Sequence, residues 1–120
     1  MHSKGEAEQM KGAEGAAVMA AEMHRGTVVL LTLLCLDEPC YGYALSERLL
    51  ERGVKAEGNT LYPLLRRLAS QGFLEASWDT SAAKPRKYYS ITEEGKRLRE
   101  ELLREWDSLA DCVNGCRGDK

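Results

Sequence analysis

Residues 27–36, TVVLLTLLCL, put apolar side chains on nearly every side of a helix, interrupted only by Thr27 and Thr32. Such a helix must be buried on several faces at once. A chain of 120 residues fits one domain with one core, and one small domain rarely covers an all-round apolar helix alone. A partner chain is therefore expected against it. The uninterrupted stretch, Val28 to Leu36 broken by Thr32, is well short of the roughly 20 residues of a membrane span. Glu22, His24 and Arg25 flank it, so no transmembrane helix and no membrane partner are expected. The N-terminal MHSKGEAEQMKGAEGAAVMAAEM lacks a basic start followed by an apolar core and a cleavage site, which leaves the cytoplasm as the expected location.

Before the apolar run, residues 1–15 are rich in Gly, Ala, Glu and Lys without an apolar period and are expected to form a flexible arm. A helical pattern starts at about Ala16. Pro39 and Gly42 interrupt it, and YALSERLLERG resumes it with Leu45 and Leu49 on one face and Gly53 as the glycine that ends the helix. GNTLYPLLRRLASQG, residues 58–72, forms the third helix, with Leu61, Leu64, Leu65 and Leu68 on one side and Gly72 as the stop. With Thr60 as N-cap, Pro63 falls in the first turn, where its missing N–H has no intrahelical partner to lose.

After Gly72 the period changes from helical to alternating. Leu74, Ala76 and Trp78 share one face of a first strand, and Tyr89 and Ile91 share one face of a second. TSAAKPR joins them as a hairpin tip. Thr92 then caps a long helix with Glu93 and Glu94 at its positive end and an apolar stripe at Leu98, Leu102, Trp106, Leu109 and Val113. Gly95 in its first turn costs roughly 1 kcal/mol against alanine. The expected fold is mostly α with a small β-hairpin: a winged helix-turn-helix over residues 16–91, a dimerisation helix over 92–114 and a tail over 115–120. In that arrangement the third helix enters the DNA major groove and the hairpin is a wing against the backbone.

The charge distribution agrees. The chain has a net charge of −2, yet residues 48–99 hold eleven Lys and Arg against six Asp and Glu, while residues 100–120 hold three against six. The positive field surrounds the third helix. With its leucines turned inward, that helix presents Tyr62, Pro63, Arg66, Arg67 and Ser70 outward. Surface charge alone would make this a solvated helix back; the wing that follows makes it a DNA-reading face. Each arginine can fork onto guanine or hold a phosphate, and Asn59 and Thr60 at the helix start can donate to phosphate. Lys84, Arg86 and Lys87 at the hairpin tip are candidates for phosphate or minor-groove contact. Tyr89 and Ile91 belong to the core, and Tyr88 is open to either role.

Three blocks, RGTVVLLTLLCLDEPCYGYAL (25–45), GNTLYPLLRRLASQGFLEASW (58–78) and PRKYYSITEEGKRL (85–98), together resemble the PadR family of transcriptional regulators, in its short form with a single helix after the wing. The resemblance implies a homodimeric repressor that binds a palindromic operator in double-stranded DNA. It also implies dimerisation through the C-terminal and N-terminal helices and, in some members, release of DNA by a phenolic or drug-like compound. Val28, Leu31, Leu98, Leu102, Trp106, Leu109 and Val113 are the candidate dimer interface. Trp106 is either an interface anchor or a flat surface on which a small aromatic effector stacks.

No nucleophile stands beside a base, no Gly-rich phosphate loop follows a strand, and no metal-ligand spacing is present, so neither an enzyme nor a cofactor is expected. Cys112 and Cys116 are spaced to share a helix face, but Cys35 and Cys40 would have to converge on them to make a metal or redox site; reduced thiols are expected instead. Two rival functions remain: a winged-helix module that binds proteins rather than DNA, and a repressor sensing metal or redox state through cysteine.

Overall fold

The computed structural model describes residues 4–118, with side-chain surroundings from residue 12 onward. Four helices, α1 (Lys4–Cys35), α2 (Gly42–Glu51), α3 (Gly58–Ser70) and α4 (Glu93–Arg117), accompany three strands, β1 (Cys40–Tyr41), β2 (Leu74–Asp79) and β3 (Arg86–Ile91). The sheet is antiparallel with strand order β1-β3-β2. The small third strand β1 is an addition to the expected hairpin: Cys40 and Tyr41 pair with Tyr89 and Tyr88. Two residues are too short a run to show alternation in a sequence.

The core forms where the apolar stripes meet. Leu33 and Leu36 of α1, Leu45 and Leu49 of α2, Leu61, Leu65 and Leu68 of α3, Leu74 of β2 and Tyr89 of β3 are all buried together. Glycines close α2 and α3: Gly53 and Gly72 have φ of 88° and 87°, and each lets the chain fold back so that Val54 and Phe73 donate to Leu49 and Leu68 carbonyls. At the end of α1, the Arg48 guanidinium donates to the carbonyl of Cys35 (2.9 Å), an acceptor the helix leaves open, and to that of Glu38 (3.3 Å) in the turn beyond it. Arg99 of α4 pairs with Asp37 in the same turn.

Helix boundaries depart from expectation at three places. α1 is continuous from Lys4, so most of the expected arm is helical, while residues 1–3 lie outside the described residues. Its N-terminal part shows no amphipathic period because residues 12–26 are exposed; its Ala, Glu and Met residues favour helix, against the cost of its glycines. Gly12–Cys35 is, by length and a mean hydropathy of 1.4 over an 18-residue window, apolar enough to cross a membrane, a property the shorter uninterrupted run concealed. Its C-terminal part is instead built into the domain core. α4 runs to Arg117 and ends on Gly118 at φ 77°, past the expected limit at residue 114. Finally, the cap of α3 is Glu57, not Thr60: the Glu57 carbonyl accepts from Thr60 (3.0 Å) and Leu61 (2.8 Å), placing Pro63 inside the helix. The carbonyl of Asn59 then lacks the N–H of Pro63 as its donor, a loss its exposed position softens by leaving it open to water.

Candidate nucleic-acid interface

α2 and α3, joined through Gly53, form the helix-turn-helix, and α3 shows the two-sided character its leucines implied. Leu61, Leu64, Leu65 and Leu68 are buried, whereas Asn59, Thr60, Tyr62, Pro63, Arg66, Arg67 and Ser70 are all exposed. One continuous polar and cationic face therefore projects from a helix that the core holds rigidly from behind.

Tyr62 on this face is held more tightly than an outward residue need be. A Cβ on Gly42 would lie 2.9 Å from its Cε1, and a Cβ on Gly58 would lie 2.9 Å from its Cε2. The ring thus sits between the first turns of α2 and α3, with room made on both edges by glycine. Its exposure of 39% leaves part of the ring at the surface, beside the positive ends of two helix dipoles.

The wing residues divide. Lys84 is exposed in the tip loop. Arg86 is not directed freely at solvent: its guanidinium lies 5.0 Å over the Tyr41 ring and donates to the Tyr43 hydroxyl at 3.1 Å. Lys87 lies between the Trp78 and Tyr89 rings, 5.8 and 5.7 Å from their centres. Both cations are engaged within the chain by aromatic faces. Trp78 does share its strand face with Leu74, but it stands 63% exposed because the wing extends past the core that buries Leu74. Tyr88 packs edge-on against Tyr41, with ring centres 6.1 Å apart.

Tyr41, Tyr43 and Asp79 are the residues sequence reasoning passed over. The Tyr41 and Tyr43 rings stack with centres 5.7 Å apart. The Tyr41 hydroxyl donates to Asp79, whose other oxygen accepts from the Ser81 hydroxyl (2.6 Å) and backbone N–H (3.0 Å). These bonds, from Ser81 first and Tyr41 second, hold the Asp79 carboxyl at about 2, below its ordinary range. The same bond to Asp79 raises the Tyr41 phenol. Tyr41, Asp79 and Ser81 line an open depression of about 540 Å³ together with Pro39, Cys40, Trp78, Thr80 and Tyr88. The two-residue spacing of the tyrosines in YGY was the available signal, but its meaning depends on strand pairing.

The candidate dimer residues also divide. Val28 is buried in its own chain, and Leu31, Leu98 and Leu102 pack against the same core, so these serve the monomer first. Trp106, Leu109 and Val113 remain 48%, 57% and 53% exposed along α4, and Val18, Met19 and Met23 are exposed along α1. Cys35 and Cys40 are buried, and burial pushes both thiols up, which disfavours the reactive thiolate. Cys112 and Cys116 are exposed on α4. Among the described residues no three His, Cys, Asp or Glu side chains group as metal ligands.

The same architecture occurs in a PadR family transcriptional regulator from Eggerthella lenta, with 47% identity and a TM-score of 0.85 over 89% of this chain and 96% of that one. A PadR-like transcriptional regulator from Bacillus cereus aligns over 82% of this chain and 99% of its own, with 29% identity and a TM-score of 0.71. An uncharacterised protein of Lysinibacillus sphaericus is 32% identical over 95 residues, 76% of this chain and 85% of that protein. Residues 30–101, which contain α2, α3 and the whole wing, match the transcriptional regulator PadR-like family, and the chain belongs to that family of non-enzymatic, DNA-binding regulators.

Proposed function

We propose that the protein is a homodimeric, sequence-specific repressor that binds a palindromic operator and is released from it by a small aromatic ligand. The observation that carries the reading is the outward face of α3: Asn59, Thr60, Tyr62, Pro63, Arg66, Arg67 and Ser70 exposed together, opposite leucines that are buried. Arg66 and Arg67 read base edges or clamp phosphates in the major groove, and Lys84 neutralises backbone charge at the wing. The exposed apolar stripes of α4 and α1 pair with those of a second copy. Two α3 helices related by that dyad would sit about 34 Å apart, one turn of DNA. A planar ligand on Trp106 at the seam shifts this spacing only through its differential affinity for the two arrangements.

The deciding experiment is operator binding by Arg66→Ala and Arg67→Ala, on the duplex that the wild-type protein selects from a random-sequence pool. Each substitution should weaken binding about fivefold to 150-fold, equivalent to about 1 to 3 kcal/mol, with the dimer intact. Where the arginine grips only phosphate, the salt slope should fall by about one. Unchanged affinity in both variants would remove α3 as the reading face and favour a protein-binding module.

A further inference from the structure

The outer end of the wing overhangs the rest of the sheet. β1 supports β3 only at Tyr88 and Tyr89, so beyond that point Lys87 and Arg86 pair with β2 alone. A two-stranded ribbon without further support is marginal in water and free to bend. This ribbon carries the tip with Lys84, and its angle decides whether the tip and α3 can meet one duplex together.

Tyr41 and Asp79 bridge the overhang. They belong to strands that are not neighbours, β1 and β2, and the Tyr41 hydroxyl reaches Asp79 across the intervening β3. Asp79 is the last residue of β2, and through its second oxygen it also holds Ser81, the beginning of the tip loop. On the middle strand, Arg86 closes the set by lying over Tyr41 and donating to Tyr43 in the first turn of α2. A single cluster therefore connects the tip loop, all three strands and the helix-turn-helix.

We propose that Tyr41 and Asp79 are positioning residues for DNA binding: their hydrogen bond, with Arg86 braced on Tyr41 and Tyr43, holds the wing at the angle that brings Lys84 to the backbone of the duplex read by α3. Arg86 is in this account a brace and not a DNA contact. The inference rests on the proposed operator-binding function. A tip already held in place loses less conformational freedom on binding, so breaking the bridge weakens the complex without touching the reading face.

The test measures affinity and salt dependence on the wild-type-selected duplex for Tyr41→Phe, Asp79→Ala, Asp79→Asn and Lys84→Ala. Tyr41→Phe keeps the ring under Arg86 and removes only the hydroxyl, and thermal melting checks that each variant is folded. Tyr41→Phe, Asp79→Ala and Lys84→Ala should each bind about tenfold more weakly, with the salt slope lowered by about one. Asp79→Asn, whose single amide oxygen can still accept from Tyr41 but whose NH2 then faces the Ser81 N–H, should bind more weakly than wild type and more tightly than Asp79→Ala. Lys84→Ala added to Tyr41→Phe should cause no further loss, since both remove the same contact. Wild-type affinity and slope in Tyr41→Phe and Asp79→Ala, no effect of Lys84→Ala, or fully additive losses would each overturn the proposal. Loss of binding in Arg66→Ala and Arg67→Ala alongside a silent Tyr41→Phe separates failure of this inference from failure of the operator-binding reading.

Discussion

A methyl group on the α-carbon of Gly95 would sit 2.1 Å from the carbonyl oxygen of Phe73, so α4 begins in direct contact with the backbone that leads into the wing. Thr92 completes the junction: its hydroxyl donates to the Gly72 carbonyl at 2.7 Å and accepts from the Gly95 N–H at 3.0 Å, while its own N–H donates to Phe73 at 3.2 Å. Gly95 thus answers a packing requirement far larger than its weak helix propensity. Gly95→Ala should destabilise the fold by about 3 kcal/mol, the upper range for overpacking a site that cannot yield, and lower Tm by roughly 10 °C. A Tm within about 2 °C of wild type would mean that α4 can lift from the wing at little cost.

The local features of the fold were legible because each is repeated or signalled within a few residues. Leu61, Leu64, Leu65 and Leu68 mark a buried side by period alone, Gly53 and Gly72 mark helix ends, and Thr92 marks a start that its bond to the Gly95 N–H realises. What was hidden depends on partners distant in the chain. Strand β1 exists only through Tyr88 and Tyr89, and the engagement of Arg86 and Lys87 follows from a register that places them over Tyr41 and between Trp78 and Tyr89. The cap of α3 was missed for a different reason: the preference for a Thr side chain at an N-cap is worth only about 1 kcal/mol, and the backbone bonds from Thr60 and Leu61 to the Glu57 carbonyl start the helix at Gly58 with no side-chain cap.

The placement of Tyr62 between two glycines separates binding from stability. Gly42→Ala would put a methyl 2.9 Å from Tyr62 Cε1 and 3.7 Å from Tyr89 Cε2. The partly exposed Tyr62 ring can yield toward solvent, so the substitution should turn it out of its slot. Operator affinity should fall severalfold while Tm drops by only a few degrees, about 1 kcal/mol. An affinity equal to wild type would show that the pose of Tyr62 does not matter to DNA.

Thr32 is fully buried, and its hydroxyl has no hydrogen-bond partner among the described residues. A buried donor without a partner carries its full desolvation penalty, and an apolar group of the same shape removes it. Thr32→Val should therefore raise stability by about 1 kcal/mol, visible as a Tm increase of roughly 4 °C. A decrease would place a hydrogen bond on that hydroxyl in solution.

Asp79 gives the wing a defined response to acid. Hydrogen bonds from Ser81 and Tyr41 lower its carboxyl from 3.8 to about 2. A carboxyl lowered by folding stabilises the folded chain above its ordinary pKa, and that contribution disappears as pH falls through the lowered value. The near-ultraviolet circular dichroism of the wing aromatics should hold steady down to about pH 3 and change with a midpoint at about 2. Asp79→Asn should lack this transition. A wild-type midpoint at the ordinary carboxylate value would show that the Asp79 bonds do not persist in solution.

Trp106, Leu109 and Val113 expose a continuous apolar stripe on α4, with Trp106 still 48% accessible while Leu98 and Leu102, earlier on the helix, pack against the core. In the proposed dimer a second copy covers that stripe and Trp106 is its anchor, so Trp106→Ala should raise the dimer dissociation constant about thirtyfold, equivalent to about 2 kcal/mol, by sedimentation velocity. The chain has two tryptophans, and Trp78→Phe leaves Trp106 as the sole indole reporter. In that variant a planar aromatic compound that stacks at the seam should quench fluorescence, and the same compound should release bound DNA at matching concentrations. Quenching without release would separate ligand stacking from control of DNA binding. Neither response across a panel of such compounds would leave Trp106 with the anchor role alone.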